Sequence, residues 1–168
     1  LAFSQPLLRY ERPYCEIEKG TLISHLRDLA HFDLKGQRLL MAIGSRHLDD
    51  AVSAAKNAGA EVFARILPSP ESLRKALSTS LPWSHLALFR PRREIPPERL
   101  ELALCRKWSI TGIVCRQSGG LTESIWREIC KKEKLNLWLV SRPLYSDGIE
   151  TVNSVEELIT RVISRPSE

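Results

Sequence analysis

Several kinds of sequence motif are absent from this chain of 168 residues, and each absence narrows what the protein can be. No apolar run approaches the roughly 20 residues that a transmembrane helix needs, so no membrane span is predicted. No C-x-x-C pair occurs, and no cysteine stands at ligand spacing from a histidine, so no metal site is predicted either. We interpret Cys15, Cys105, Cys115 and Cys130 as buried free thiols of a cytoplasmic protein.

The common phosphate-binding and catalytic motifs are absent too. With only 8 glycines, the chain contains neither the G-x-G-x-x-G dinucleotide fingerprint nor a P-loop. No catalytic triad and no paired carboxylates stand out, so no catalytic residue is assigned. His47 could act as a general acid, although a lone histidine in a loop is more often solvated. The remaining cationic and hydroxyl groups suit binding, or a hydride transfer in which a cofactor carries the chemistry.

Basic residues outnumber acidic ones by 25 to 20, which gives a formal net charge of +5 and a pI of about 9.2. A basic chain raises the question of nucleic acid. The basic residues are, however, interleaved with acidic ones, as on solvated helix faces, and no nucleic-acid reader motif appears. A nucleic-acid module is therefore the least favoured class of function.

Five nearly continuous apolar runs alternate with segments of helical spacing, which indicates buried strands of a parallel sheet joined by helices. The strands are predicted at residues 38–43, 61–66, 84–89, 111–116 and 136–141. We predict a doubly wound α/β fold, Rossmann-like or flavodoxin-like, with a five-stranded, mostly parallel sheet. Residues 21–168 form this domain, with Thr21 as the N-cap of its first helix, and residues 1–20 are a connector or an edge strand.

An arginine lies at or just after the end of each predicted strand. In an open parallel sheet the carboxyl ends of the strands meet along one edge, where ligands bind. A guanidinium is always charged and matches carboxylate or phosphate in a bidentate way. Unless the pattern only reflects how common basic residues are on loops, it predicts a pocket for a polyanion. The five arginines are Arg46, Arg65, Arg90, Arg116 and Arg142.

Two strand-to-helix turns carry glycine next to hydroxyl groups. Their residues are Gly44, Ser45 and Arg46 in the first turn, and Arg116, Ser118, Gly119, Gly120 and Thr122 in and after the second. Glycine lets a backbone approach a ligand closely, and a helix N-terminus offers free N–H groups to an anion. The alternative is a tight turn that needs glycine only for its geometry.

Six short segments, in a shared order and spacing, carry a family resemblance. They read LRYERP at 8–13, IGSR at 43–46, RILP at 65–68, SGG at 118–120, SRP at 141–143 and VNSVEE at 152–157. Together they resemble the second half of the precorrin-6A reductase family of cobalamin biosynthesis. The resemblance implies an oxidoreductase acting on a CH–CH bond, which uses NADPH to reduce one double bond of precorrin-6A and yields precorrin-6B. The implied substrate is a tetrapyrrole fringed with carboxylates.

The resemblance also implies a partner. The family is built from two Rossmann-like halves with the active site between them, and its amino-terminal half opens with a strand and a Gly-Gly-Thr turn. No such turn occurs in this chain, so we expect it to begin at the connector between the halves, with the amino-terminal half missing.

The arginine pattern and the resemblance together predict one binding site for substrate carboxylates or cofactor phosphate. Its residues are Gly44, Ser45, Arg46, Arg65, Arg116, Ser118, Gly119, Gly120, Thr122 and Arg142. The alternative is a non-catalytic Rossmann-like domain that binds a nucleotide, a sugar phosphate or another polyanion at the same edge.

Overall fold

The computed structural model describes residues 7–13, 19–90, 98–143 and 148–164. The strands are β1 (Leu8–Tyr10), β2 (Thr21–Ile23), β3 (Arg38–Ala42), β4 (Glu61–Ile66), β5 (Leu86–Leu88), β6 (Gly112–Arg116), β7 (Asn136–Val140) and β8 (Glu150–Val152). The helices are α1 (Leu48–Asn57), α2 (Pro70–Leu77), α3 (Glu98–Lys107), α4 (Leu121–Glu133) and α5 (Val155–Ile163). Two short 3-10 helices span Leu26–His31 and Trp83–His85.

Six strands form one parallel sheet in the order β2-β7-β6-β3-β4-β5. From β3 the chain moves outward through β4 to β5, then returns to β6 on the other side of β3 and moves outward again through β7. This reversal of direction confirms the predicted doubly wound, Rossmann-like fold. It also places a topological switch point between β3 and β6, where ligands bind in open α/β sheets.

The sixth strand corrects the prediction at Thr21. Thr21 is not a helix N-cap, because Thr21–Ile23 pair with β7 in parallel, Thr21 opposite Trp138 and Ile23 opposite Val140. The apparent helical spacing combined two elements: this edge strand, and the 3-10 helix that buries Leu26 and Leu29. A three-residue strand is too short to show its own alternation of apolar and polar residues, so β2 was not predicted. With β2 included, the sheet has six strands rather than five.

Two apolar clusters fill the two faces of the sheet. Helices α1 and α2 cover one face with residues such as Leu48 and Val52, whereas α3 and α4 cover the other with residues such as Ile125 and Ile129. Alternate strand residues point to opposite faces, and β3 shows this directly, since Leu39 belongs to the first cluster and Leu40 to the second. The burial on both faces explains the nearly continuous apolar strands.

Three of the four cysteines lie inside the α3/α4 cluster as free thiols, which confirms that part of the prediction. Burial raises the pKa of Cys105 and of Cys130 to about 12 and that of Cys115 further still. Such thiols stay protonated and inert near neutral pH. Cys15 lies outside the described residues.

A second, much smaller sheet stands apart from the first. Strands β1 and β8 pair in parallel, Leu8 opposite Glu150 and Tyr10 opposite Val152, and α5 packs against both. Ser154 caps α5 by accepting from the Glu157 N–H at 3.0 Å. No residue of α5 is buried, and its apolar side chains at Val155, Ile159, Val162 and Ile163 are exposed. Among the described residues no helix is long and apolar enough to cross a bilayer.

Candidate functional site

A cleft of about 500 Å³ opens at the carboxyl edge of the sheet, on the β6 side of the switch point. Its walls come from the segment after β2, the start of α1, and the ends of β6 and β7. The charged and titratable residues in these walls are His25, Arg27, Asp28, His47, Asp50 and Arg116. The cleft therefore lies where the fold predicts a ligand, and its lining combines apolar surface with cationic and acidic side chains.

The turn after β3 is open. Gly44 has a φ of +80°, a conformation that favours glycine, and a Cβ placed there would meet nothing within 4 Å. Ser45 keeps its hydroxyl 3.3 Å from that of Ser72 on α2. Arg46 is exposed at the end of the turn. The predicted trio Gly44, Ser45 and Arg46 thus forms an accessible turn with free space above it.

Arg116 is the last residue of β6 and reaches across to that same turn. Its Nε donates to the Ile43 carbonyl oxygen at 3.5 Å. Partial burial lowers the pKa of Arg116, and the positive charge of Arg46 lowers it further. Neither arginine forms an ion pair with a described residue. Two neighbouring guanidinium groups that have no ion-pair partner among the described residues favour the binding of an anion between them.

The turn after β6 is closed, in contrast. The Gly119 N–H donates to a carboxylate oxygen of Glu123 at 2.8 Å, and the Gly120 N–H donates to the Ser118 hydroxyl at 3.3 Å. Glu123 is 2% exposed and is paired with Arg127 at 2.6 Å. A carboxylate of the chain itself therefore occupies the position at the helix N-terminus where a ligand was predicted. Thr122 is exposed in the first turn of α4.

The glycines of this second turn make room for the connector. A Cβ at Gly119 would clash with the Arg142 side chain and lie 2.5 Å from the Pro13 carbonyl oxygen. A Cβ at Gly120 would lie 2.7 Å from the Arg12 guanidinium. Close packing, rather than approach to a ligand, accounts for glycine at both positions in this structure.

Arg142 anchors the connector to the same turn. Its Nε donates to the Gln117 carbonyl at 2.9 Å, and its Nη1 donates to the Arg12 carbonyl at 2.6 Å and pairs with Glu11 at 2.8 Å. The side chain is only 11% exposed. Arg142 thus lies beside Gly119, as predicted, but its described contacts are within the protein, and contact with a substrate stays a prediction.

Arg65 does not lie at the edge of the sheet, which corrects the sequence-based placement. It is 7% exposed within β4, its guanidinium stacks 4.9 Å from the Phe89 ring, and it faces the buried Glu101 of α3. Burial lowers the pKa of Arg65 and raises that of Glu101. Arg90 is exposed, and the basic residues that follow it are outside the described part of the chain.

Sequence reasoning missed the wall formed by the segment after β2. There the Asp28 carboxylate accepts from the backbone N–H groups of Ser24 and His25 at 3.0 and 2.8 Å. Arg27 pairs with Asp50 of α1 at 3.0 Å, across the mouth of the cleft. The available signal was the aspartate three residues after His25, which is the spacing of a side-chain cap.

Comparison with known proteins agrees with this architecture. The family model described as Precorrin-6x reductase CbiJ/CobK matches residues 2–163. A cobalt-precorrin-6A reductase of Synechocystis sp. is 31% identical over 151 residues, which cover 82% of this chain and 53% of that relative. This chain therefore spans about half the length of the curated relative. The predicted family resemblance is confirmed.

A solved structure shares the fold. It is titled CobK precorrin-6A reductase and superposes with a TM-score of 0.73 at 20% sequence identity, covering 94% of this chain and 62% of its own. At that identity the likeness supports the α/β architecture alone.

Proposed function

The chain belongs to the Precorrin-6x reductase CbiJ/CobK family, and we propose from this premise that it acts in the NADPH-dependent reduction of precorrin-6A to precorrin-6B in cobalamin biosynthesis. The observation that carries the proposal is the pair formed by Arg46 and Arg116, two neighbouring cations at the switch point of the sheet that form no ion pair with a described residue. A tetrapyrrole fringed with carboxylates, and a cofactor carrying phosphates, both need such a cationic site.

Arg116 is the arginine best placed for the substrate. It lines the cleft directly, and its guanidinium has only one long hydrogen bond within the described residues. Arg27 is paired with Asp50 and Arg142 with Glu11, so their charges are already partly balanced. A substrate carboxylate would bind Arg116 through a bidentate contact.

The open turn after β3 fits a phosphate of NADPH. Gly44 leaves free space above the backbone, Ser45 offers a hydroxyl, Arg46 offers a charge, and α1 starts immediately afterwards. The closed turn after β6 does not fit, because Glu123 takes the Gly119 N–H. When bound, NADPH would supply the hydride. The closed turn would instead support the site structurally, through the packing of Ser118, Gly119, Gly120 and Arg142. The exposed Thr122 hydroxyl remains available to a ligand.

A second Rossmann-like half is the partner that we propose. Strands β1 and β8 form only a two-stranded parallel sheet, although parallel sheets are ordinarily larger and covered on both faces. Much of the apolar surface of α5 is left uncovered by the described residues, with Ile159 52% and Ile163 78% exposed. The curated relative is about twice as long as the matched segment. This apolar surface is suited to the other half.

The compartment that we propose is the cytoplasm. The three buried thiols of the α3/α4 cluster are free and protonated. Unpaired cysteines of this kind are typical of a reducing compartment.

A calorimetric titration tests the proposal. The protein is titrated with a tetrapyrrole polycarboxylate and, separately, with NADPH. We expect Arg116→Ala to weaken tetrapyrrole binding about tenfold or more, since a lost hydrogen bond between charged groups costs about 1.5–3 kcal/mol. The matched control is Arg106→Ala, an exposed arginine of α3 paired with Glu133. Equal tetrapyrrole affinity in the wild type and in Arg116→Ala would refute the assignment, and binding of NADPH alone would favour the non-catalytic nucleotide-binding domain.

A further inference from the structure

The reduction of a double bond consumes a hydride and a proton, and the source of the proton is open. The following inference rests on the proposed function and concerns that proton. A general acid must reach the substrate, so it has to lie in the cleft. The described residues of the cleft include four that could in principle gain or lose a proton near neutral pH or below it, namely His25, Asp28, His47 and Asp50.

Both aspartates of the cleft already accept hydrogen bonds from other groups of the protein. Asp28 accepts two backbone N–H groups, from Ser24 and His25. Asp50 is ion-paired with Arg27. Both carboxylates therefore already accept hydrogen bonds within the protein, Asp28 from the backbone and Asp50 from Arg27. The arginines keep their protons throughout the physiological range.

The two histidines of the cleft differ in position. His47 lies at the start of α1, directly after the turn that carries Gly44 and Arg46, and it lines the cleft together with Arg116. His25 lines the same cleft from the segment after β2. Of the two histidines, His47 is the one that directly follows Arg46, the cation that we assign to the cofactor phosphate.

The His47 side chain is also free. It makes no capping hydrogen bond to α1 and has no side-chain hydrogen bond to any described residue, and it is exposed. His85 provides the contrast, since its ring stacks on Phe63 at 4.1 Å and its Nδ1 lies 2.9 Å from the Val62 carbonyl. A free imidazole in a ligand cleft is able to move a proton, whereas a stacked and bonded one is held for structural reasons.

We propose that the His47 imidazolium is the general acid of the reduction. When bound, NADPH would supply the hydride to one atom of the substrate double bond, with the electron pair of the C–H bond that it gives up. The π electrons of the double bond move to the other atom and take the proton from the imidazolium N–H. Neutral imidazole remains and regains a proton from solvent, so atoms and charge balance.

The first test is kinetic and uses His47→Gln in the full protein. General acids contribute about 10²–10⁴-fold, so kcat is expected to fall at least about 100-fold with little change in KM. In the wild type kcat should fall as the pH rises through the histidine range, because the acid form is lost, and this limb should vanish in the variant. The other charged and titratable groups that line the cleft are His25, Arg27, Asp28, Asp50 and Arg116, and a variant of its own tests His25.

Two further histidines provide controls. His31→Gln changes an exposed histidine on the same 3-10 helix as Arg27 but outside the cleft, and it should keep wild-type kcat. His25→Gln tests the competing donor. If His25→Gln loses activity and the pH limb while His47→Gln keeps both, or if His47→Gln behaves as the wild type, the assignment to His47 is overturned.

The second test does not depend on turnover. In protein labelled with ¹³C-histidine, addition of a tetrapyrrole polycarboxylate should shift the His47 ring resonance and leave that of His31 unchanged. An unshifted His47 resonance in a protein that binds the tetrapyrrole would overturn the proton-donor role alone. Failure of the wild-type protein to bind the tetrapyrrole at all would instead overturn the proposed function.

Discussion

The two strand-to-helix turns beside the switch point are similar in sequence and opposite in structure. The turn after β3 leaves Gly44 with open space, whereas the turn after β6 packs Gly119 and Gly120 against the connector. The difference comes from whether a side-chain carboxylate accepts a hydrogen bond from the backbone of the turn. Glu123 supplies an internal carboxylate to the second turn, and no carboxylate of the described residues hydrogen-bonds to the first. A glycine-rich turn is therefore accessible to an external anion only where the chain does not provide its own.

Removal of the internal carboxylate should give the largest effect. We expect Glu123→Ala to lower the free energy of unfolding by about 3–5 kcal/mol, because it removes the buried carboxylate that pairs with Arg127 and accepts from the Gly119 N–H. The variant should also regain part of that loss in sulfate, since the Gly119 N–H becomes available to an anion. Urea unfolding in sulfate, and in chloride of equal ionic strength, measures both the loss of stability and its partial recovery. An equal response of the wild type to sulfate would contradict the comparison.

The next largest effect separates the two glycines. We expect Gly119→Ala to destabilise by about 3 kcal/mol or more, because left-handed strain adds to overlap with the Pro13 carbonyl. At Gly44 an alanine side chain has free space, so only the left-handed backbone conformation is unfavourable, and Gly44→Ala should lower the free energy of unfolding by about 1 kcal/mol. Denaturant midpoints of the two variants give the difference, and similar losses would show that both turns are equally open.

The connector anchor should have a smaller effect. Glu11→Gln keeps the shape of the side chain but removes the charge that pairs with Arg142, and we expect a loss of about 1–2 kcal/mol. Hydrogen exchange at the Glu11 N–H, which donates to the Val152 carbonyl at 2.9 Å, should accelerate. Unchanged exchange there would mean that Arg142 does not hold the connector.

The smallest effect is expected at the mouth of the open cleft. Arg27 and Asp50 form an ion pair whose side chains are 79% and 44% exposed. We expect Arg27→Ala to change stability by less than about 1 kcal/mol, because exposed ion pairs contribute little. Thermal unfolding at low and high salt checks this, and a loss that persists at high salt would indicate a buried role.

The sequence predicts the fold well where the apolar signal is long. Each of the five predicted strands is present, although the one predicted at 84–89 is shortened to Leu86–Leu88 by the 3-10 helix before it. The three-residue strand β2 was missed because its stability comes from β7, which lies more than a hundred residues away in the chain. A local pattern contains no information about such a partner.

The site was predictable only in part, for the same reason. The positions of Arg46 and Arg116 followed from the rule for parallel sheets. Arg65 of β4 is buried against Glu101 of α3 and against Phe89, which directly follows β5. The contacts of Arg142 depend on Glu11, 131 residues earlier. Whether a charged residue faces a ligand or the protein is decided by these distant neighbours.

The pairing of β1 with β8 has a consequence for the order of folding. These strands lie near opposite ends of the described chain, so their contact closes a loop that contains the whole six-stranded sheet. Closing so long a loop is entropically costly, and contacts distant in sequence form slowly. We expect this small sheet, together with the Arg142 anchor, to assemble last. It should also open first in native-state hydrogen exchange, well before the strands on either side of the switch point.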